Sequence, residues 1–151
     1  LVAKLKQEGK YEITAPLKEK LDAIFYGAWC DDADTLETID SFFQKYNYLC
    51  DTHTAVAVNA ADQYQKSTGD DAPVVIASTA SPYKFPENVL KALKKDGEKS
   101  EDDFAVLHEI SKLSGMDIPD AITGLSQLKV IHTDSCKKDE MKEYLCHALK
   151  I

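Results

Sequence analysis

The sequence predicts a helix-rich α/β protein of three layers, with a few short, mostly parallel strands. Residues 74–77 are a continuous apolar run behind Pro73 that ends abruptly in hydroxyl residues, which is typical of a short buried strand. Residues 129–132 form a second short run of this kind. Segments with helical periodicity alternate with these runs, and such alternation favours a largely parallel sheet. Few strands accompany many helices, so we expect part of the sheet to lie outside this chain.

The N-terminal segments predict three helices in order. Residues 1–7 have helical periodicity and stop near Gly9. A second helix is expected to start at Thr14, with Pro16 in its first turn. The acidic run at residues 31–34 stands at the start of the next helix, where the dipole favours carboxylates; the helical stripe behind it favours a cap over a metal site. The apolar stripes of the second and third helices are Leu17, Leu21, Ile24 and Phe25, and Leu36, Ile39, Phe42 and Phe43.

The middle of the chain predicts a helix, a strand and another helix. After a very short strand or turn at residues 48–50, an Ala/Val-rich segment over 52–66 predicts a tightly packed helix that ends near Gly69. The strand at 74–77 follows. Residues 86–94 predict a short helix. The polar stretch 95–101 is the one candidate linker, which places a possible subdivision of the chain near 95–100.

The last third of the chain predicts three more helices. Ser100 and Asp103 have capping-box spacing at the start of the first, and residues 118–120 begin the second. Asp134 or Ser135 is expected to cap the last helix, after the second strand. The apolar faces of the first and last of these helices are Phe104, Leu107 and Ile110, and Met141, Leu145 and Leu149.

Composition narrows the classes of function. The formal net charge of −8 disfavours nucleic acid as a partner, because phosphate binding needs a basic face. All 18 basic residues are lysine, so no guanidinium clamp for a phosphate or carboxylate comes from this chain. No apolar run has the length that spans a membrane. The four cysteines do not have the spacing of zinc ligands, so we expect reduced thiols, which are typical of a cytoplasmic protein.

Ser78 and Thr79 are the first candidate site residues. They follow the strand at 74–77 directly, and in open α/β sheets ligands bind just beyond the carboxyl ends of strands. Pro82 and Pro86 stiffen the segment that comes next. The alternative is that the two hydroxyls only cap the next helix.

Two blocks of the sequence resemble the threonine synthase family. Residues 75–85 (VIASTASPYKF) resemble its small-Thr-Ala-His-Pro-Ala-Lys-Phe signature, and residues 48–57 (YLCDTHTAVA) resemble its Gly-Tyr-Leu-Asp-Pro-His-Thr-Ala-Val-Ala segment. The blocks come in the family's order and at about its spacing. A looser resemblance extends from about Tyr11 to the end of the chain. Ser81 replaces the usual His and Thr52 the usual Pro, so no role of that His is transferred to Ser81.

The resemblance implies the fold of a fold type II pyridoxal phosphate enzyme, with 1–151 as a single C-terminal segment of a larger catalytic chain. The start at Leu1, within helix-like sequence, agrees with a cut through a larger protein. The implied reaction of the complete enzyme converts O-phosphohomoserine and water into L-threonine and phosphate. By motif position Thr79, with Ser78 second, is expected to meet the pyridine nitrogen of the cofactor, to which a neutral hydroxyl can donate.

His53 and Lys84 are the substrate-pocket candidates in the two matching blocks. His53, at a helix N-terminus, either shapes the active-site wall or relays a proton, or it ties down a loop through its ring nitrogens. Lys84 either meets the substrate phosphate as a point charge or snorkels from a helix start.

None of the 18 lysines matches the motif of the family's Schiff-base lysine, so we expect this chain to be catalytically inert alone. One alternative is another fold type II lyase such as threonine dehydratase. The other is a non-catalytic α/β interaction module, which is expected to fold alone with an intact core. A severed segment is expected instead to expose apolar sheet-facing surface and to self-associate.

Overall fold

The computed structural model describes residues 1–94 and 102–151, which form two compact units, residues 1–118 and 119–151. The predicted linker at 95–101 and Ser100 of the predicted capping box lie outside the described residues, and the subdivision near 95–100 stays a prediction. The helices of the first unit are α1 (Val2–Glu8), α2 (Ala15–Asp22), α3 (Asp32–Tyr46), α4 (Thr52–Thr68), α5 (Pro86–Leu93) and α6 (Asp103–Ser114), with a 3-10 turn at Pro82–Lys84. The second unit has α7 (Asp120–Thr123), a 3-10 turn at Leu125–Gln127 and α8 (Met141–Leu149).

The prediction of a three-layer α/β fold with parallel strands is wrong, because none of the described residues forms a strand. Val75 and Ile131, inside the two predicted strands, are 94% and 80% exposed. Residues 48–50 are likewise not a strand. An apolar run becomes a strand only where a neighbouring backbone exchanges hydrogen bonds with it. The described residues supply no such neighbour, so both runs stay irregular.

Four helices build the core of the first unit. Helix α3 packs against α4 and α5, and α5 packs against α6. Ile39 of α3, Val89 of α5 and Ile110 of α6 are completely buried there, as the helical stripes predicted for Ile39 and Ile110. Ala55 is also completely buried, and its small side chain lets α4 lie close to its neighbours. The rest of the predicted α3 stripe is half-buried.

The start of α3 and the end of α4 follow the capping residues of the sequence. Asp31 caps α3, because its carboxylate accepts a hydrogen bond from the backbone N–H of Asp34 at 2.8 Å. The acidic run is therefore a helix cap, as predicted. Helix α4 ends at Gly69, whose φ of 71° lies in the left-handed region that glycine enters without a Cβ clash.

Helix α8 begins later than the sequence predicted. Its first residue is Met141, and neither Asp134 nor Ser135 caps it. Asp134 instead accepts a hydrogen bond from the hydroxyl of Tyr144 at 2.8 Å, so its carboxylate binds the side of the helix. The predicted apolar face of α8, with Leu145 and Leu149, is exposed. No helix of the described ranges 1–94 and 102–151 has the length and apolar character that crossing a membrane requires.

Candidate functional site

A short turn between α3 and α4 positions the candidate site. Asn47 ends α3 with a φ of 52°, in the left-handed region that asparagine tolerates better than most residues. Leu49 and Cys50 are buried and anchor the turn in the core. Asp51 follows, is completely buried, and caps α4 by accepting from the backbone N–H of His53 at 2.8 Å. The turn therefore holds one carboxylate inside the protein at the start of α4.

Both oxygens of the Asp51 carboxylate are hydrogen-bonded by side chains. Oδ1 lies 3.1 Å from Nδ1 of the His53 ring, and Oδ2 accepts from the hydroxyl of Thr54 at 2.5 Å. Burial on its own raises the pKa of Asp51, but the hydrogen bonds from Thr54 and His53 outweigh it and hold this pKa below its ordinary value. Asp51 is therefore ionised at neutral pH and can only accept hydrogen bonds.

The hydroxyl of Ser78 continues this network. Its Oγ lies 3.0 Å from Oγ1 of Thr54 and 3.4 Å from the hydroxyl of Tyr48. The 48–57 block of the sequence and the 75–85 block are thereby in direct contact. Thr79 is exposed, and it takes no part in the hydrogen bonds that join Asp51, Thr54 and Ser78 in the described chain.

His53 and Lys84 meet at the ring of Phe85. The ring centroids of His53 and Phe85 are 5.2 Å apart, and Nζ of Lys84 lies 5.6 Å from the Phe85 centroid. Lys84 ends the 3-10 turn and is exposed. The structure thus brings the two predicted pocket residues to one aromatic side chain, within the distance at which a cation is attracted by a ring face.

Two clefts lie beside this network. The first, of about 420 Å³, is lined by Cys30, Asp32, Thr35, Leu36, Thr52, His53, Val56, Phe85, Asn88 and Lys91. The second, of about 360 Å³, is lined by Phe42, Tyr46, Tyr48, Thr54, Val58, Ile76 and Ser78. The two oxygens of Asp51 therefore bind groups that belong to different clefts: His53 in the first cleft, Thr54 in the second.

Ser81 has a structural part in this region. Its hydroxyl accepts from the backbone N–H of Tyr83 at 3.2 Å and caps the 3-10 turn at Pro82–Lys84. The capping function that was the alternative for Ser78 and Thr79 thus belongs to Ser81. The cofactor and substrate functions of Ser78, Thr79, His53 and Lys84 stay predictions.

Sequence reasoning missed Asp51 and Thr54, the residues that connect the candidates. A signal for Asp51 was present, because an aspartate directly before a predicted helix start is a common N-cap. No local pattern announces that Thr54 lies beside Ser78, which is 24 positions away. Within residues 1–94 and 102–151 no group of three His, Cys, Asp or Glu side chains is placed to hold a metal ion.

The chain is similar in sequence to a family model and to several known proteins. The family model described as "Threonine synthase, C-terminal" matches residues 54–133, which is more than half of the chain. "Threonine synthase-like 1" of Homo sapiens is 37% identical over 94 residues, which cover 62% of this chain and 12% of that protein. "Threonine synthase" of Pseudomonas aeruginosa is 34% identical over 92 residues, which cover 61% of this chain and 19% of that protein.

The aligned regions span only a small part of each of these relatives. Of the network described above, Thr54 and Ser78 lie inside the residues matched by the family model, and Tyr48, Asp51 and His53 precede them. The predicted family is confirmed. This chain belongs to the threonine synthase family and carries its C-terminal region.

Proposed function

We propose that this chain is the C-terminal part of an enzyme that converts O-phosphohomoserine and water into L-threonine and phosphate with pyridoxal 5'-phosphate. The observation that carries the proposal is the 3.0 Å contact between Oγ1 of Thr54 and Oγ of Ser78. It joins the two sequence blocks that resemble threonine synthases, and this contact supports a single site built from both blocks. The family match over residues 54–133 supports the same conclusion.

The hydroxyls at this site fit the proposed cofactor. Thr79, with Ser78 second, would donate to the pyridine nitrogen, since a neutral hydroxyl can donate to an unprotonated nitrogen and does not force its protonation as a carboxylate would. Phe42 and Tyr46 give the second cleft aromatic walls that suit a planar ring. When bound, the cofactor serves as an electron sink for carbanions.

The first cleft is the proposed place for the polar parts of the substrate. His53 and Lys91 line it, and Lys84 lies against the adjoining Phe85 ring. A lysine cation attracts a phosphate as a point charge, and His53 is placed to shape this wall or to move a proton. No lysine of this chain matches the motif for covalent attachment of the cofactor, so we propose that the chain is inactive alone. Four cysteines without a pairing pattern support a cytoplasmic location.

The full-length protein provides the test. Purified with pyridoxal 5'-phosphate and given O-phosphohomoserine, it is expected to release phosphate and threonine in equal amounts. Turnover of threonine to a 2-oxo acid without action on O-phosphohomoserine would assign it to the threonine dehydratase type instead. The absence of turnover and of cofactor binding would favour a non-catalytic module.

The isolated chain gives a second measurement. Borohydride treatment with the cofactor, followed by peptide mass spectrometry, is expected to mark no single lysine. Stoichiometric marking of Lys84 would instead reveal a self-contained site. We also propose that the isolated chain self-associates, because Val75, Val130 and Ile131 are strongly exposed. Sedimentation velocity over a concentration series checks this, and a constant monomer would contradict it.

A further inference from the structure

Asp51 connects the two halves of the predicted site, the substrate-pocket half at His53 and the cofactor half at Ser78. Its Oδ1 binds the backbone N–H and the ring Nδ1 of His53, the predicted pocket residue. Its Oδ2 binds Thr54, which contacts Ser78, a predicted cofactor residue. The carboxylate itself is completely buried and lines neither cleft. It can therefore act on a bound molecule only through its neighbours.

The number of available protons fixes the direction of the hydrogen bonds toward Ser78. The Thr54 hydroxyl has one proton, and the ionised Asp51 can only accept, so that proton lies on the 2.5 Å contact to Oδ2. The 3.0 Å contact between Thr54 and Ser78 must then be donated by Ser78. Tyr48 donates to Ser78 in turn, over the longer distance of 3.4 Å.

The same reasoning fixes the tautomer of His53. An ionised carboxylate cannot donate, so the 3.1 Å contact requires the proton on Nδ1 of the ring. Nε2 of the neutral ring is then the nitrogen with the free lone pair. The Ser78 proton is directed inward in the same network. Thr79, whose hydroxyl takes no part in the bonds among Asp51, Thr54 and Ser78, is left as the hydroxyl that donates to a bound ring nitrogen.

We propose that Asp51 is a positioning residue that sets the hydrogen-bond direction of both halves of the site, the tautomer of His53 and the donor direction of Ser78. This inference rests on the proposed function for its effect on the cofactor. Its structural content, the two fixed proton positions, is independent of that function and has its own measurement.

Asp51→Asn is the informative variant. Asparagine is as good an N-cap as aspartate, so α4 keeps its start. Its NH₂ group, however, donates to Thr54, which must then donate to Ser78, and the direction of that half is reversed. In the His53 half, Nδ1 of the ring loses its charged acceptor. Its hydrogen bond becomes weaker, because charge-assisted hydrogen bonds are about twice as strong as neutral ones.

The first experiment is ¹⁵N NMR of the histidine rings of the full-length protein at pH 8, where imidazoles are ordinarily neutral. His53 is expected to be protonated at Nδ1 in the wild type and to become a mixture of tautomers in Asp51→Asn. His108 and His147 serve as internal controls. A wild-type His53 protonated at Nε2 would overturn the inference.

The second experiment titrates pyridoxal 5'-phosphate into full-length variants of Thr54. Thr54→Val keeps the shape but removes the acceptor that holds the Ser78 hydroxyl in the wall of the second cleft, beside Thr79, so cofactor binding is expected to weaken about tenfold. Thr54→Ser keeps this acceptor and is expected to stay within about twofold of the wild type. Equal affinities for the two variants would overturn the Ser78 half. A wild type that binds no cofactor, with His53 protonated at Nδ1, would refute the proposed function but not the positioning by Asp51.

If the wild type binds no cofactor, unfolding measurements test the Ser78 half, which is the hydrogen bond between Thr54 and Ser78. The destabilisation of the double variant Thr54→Val, Ser78→Ala is expected to be smaller than the sum of the two single effects, because both residues share one hydrogen bond. Strict additivity would overturn this half as well.

Discussion

The Oγ atoms of Thr54 and Ser78 lie 3.0 Å apart, although the two residues are 24 positions apart in the chain. Thr54 belongs to the first turn of α4, and Ser78 belongs to an irregular segment before the 3-10 turn. Thr54 is also bound to the buried Asp51, so the position of Ser78 depends on the start of a helix. The site is therefore only as well ordered as the α3–α4 turn that carries it.

The core prediction compares two valines. Val89→Ala removes two methyl groups from a completely buried position on α5 and is expected to cost about 2 kcal/mol of unfolding free energy. Val75→Ala makes the same change at a position that is 94% exposed and is expected to change stability by less than about 0.5 kcal/mol. Urea unfolding of both variants provides the comparison. Similar losses would mean that Val75 is buried in solution.

The stability of the chain is expected to depend on pH through Asp51. Burial raises the pKa of Asp51, but hydrogen bonds to the carboxylate outweigh this effect, so the pKa is lower in the folded state than its ordinary value. Its stabilising contribution is then fully present above the unfolded pKa of about 4 and disappears as the pH falls through the lower folded pKa. Urea unfolding from pH 7 to pH 3 is expected to show this loss in the wild type.

The Asp51→Asn variant tests the origin of that loss. It cannot titrate at this position, so its stability is expected to approach that of the wild type as the pH falls below about 4. Asp117→Asn, at an exposed position, controls for the replacement itself. A constant difference between wild type and Asp51→Asn over the whole pH range would assign the acid sensitivity to other groups.

Cys50 is expected to be an unreactive thiol. Burial raises its pKa to about 11, and the charge of the neighbouring Asp51 adds to this increase. At pH 8 only about one thiol in a thousand is then the reactive thiolate. Iodoacetamide labelling with peptide mass spectrometry is expected to modify the exposed Cys136 first and Cys50 only after denaturation. Equal labelling rates in the native protein would contradict the packing of the α3–α4 turn.

Gly69 caps the end of α4 in a left-handed backbone conformation, so we expect it to be sensitive to substitution. An alanine at its φ of 71° is expected to cost about 1 kcal/mol, because the left-handed region is unfavourable for residues with a Cβ. Gly27→Ala is the matched control, since its φ lies outside that region and nothing lies within 4 Å of an added Cβ. Thermal unfolding is expected to show a lower midpoint for Gly69→Ala only. An equal decrease for both variants would count against the left-handed cap.

Local signals predicted where the helices of the first unit lie, but the apolar face predicted for α2 is exposed, and the predicted sheet does not form in residues 1–94 and 102–151. The segment predicted as a helix over 52–66 is α4, and the glycine after it is the cap, because propensity and capping act between neighbouring residues. The runs at 74–77 and 129–132 have the composition of strands. A strand, however, also needs a partner backbone that no local pattern supplies.

The site was predicted in part for the same reason. The end of the predicted strand drew attention to Ser78 and Thr79, and the resemblance to a family added His53 and Lys84. The structure connects His53 to Ser78 through Asp51 and Thr54 and brings Lys84 to the ring that His53 contacts. Asp51 links His53 to Thr54 and Ser78, yet the sequence predicts only its function as the N-cap of α4. Its hydrogen bond to Thr54, and through it the contact to Ser78, arises from the packing of α4 against a distant segment.

The completely buried carboxylate of Asp51 has a consequence for how this protein can vary. Helix α4 needs an acceptor at this position, so replacement by a residue that cannot cap is expected to cost about 1 kcal/mol of stability in addition to any effect on the site. Asparagine satisfies the helix but donates where the carboxylate accepts. A library selected for folded protein alone would therefore retain both aspartate and asparagine at this position, and one selected for activity would retain only the aspartate. The frequency of asparagine relative to aspartate can be compared between the two libraries. The decrease from the folding library to the activity library measures how much of the selection at this position comes from function.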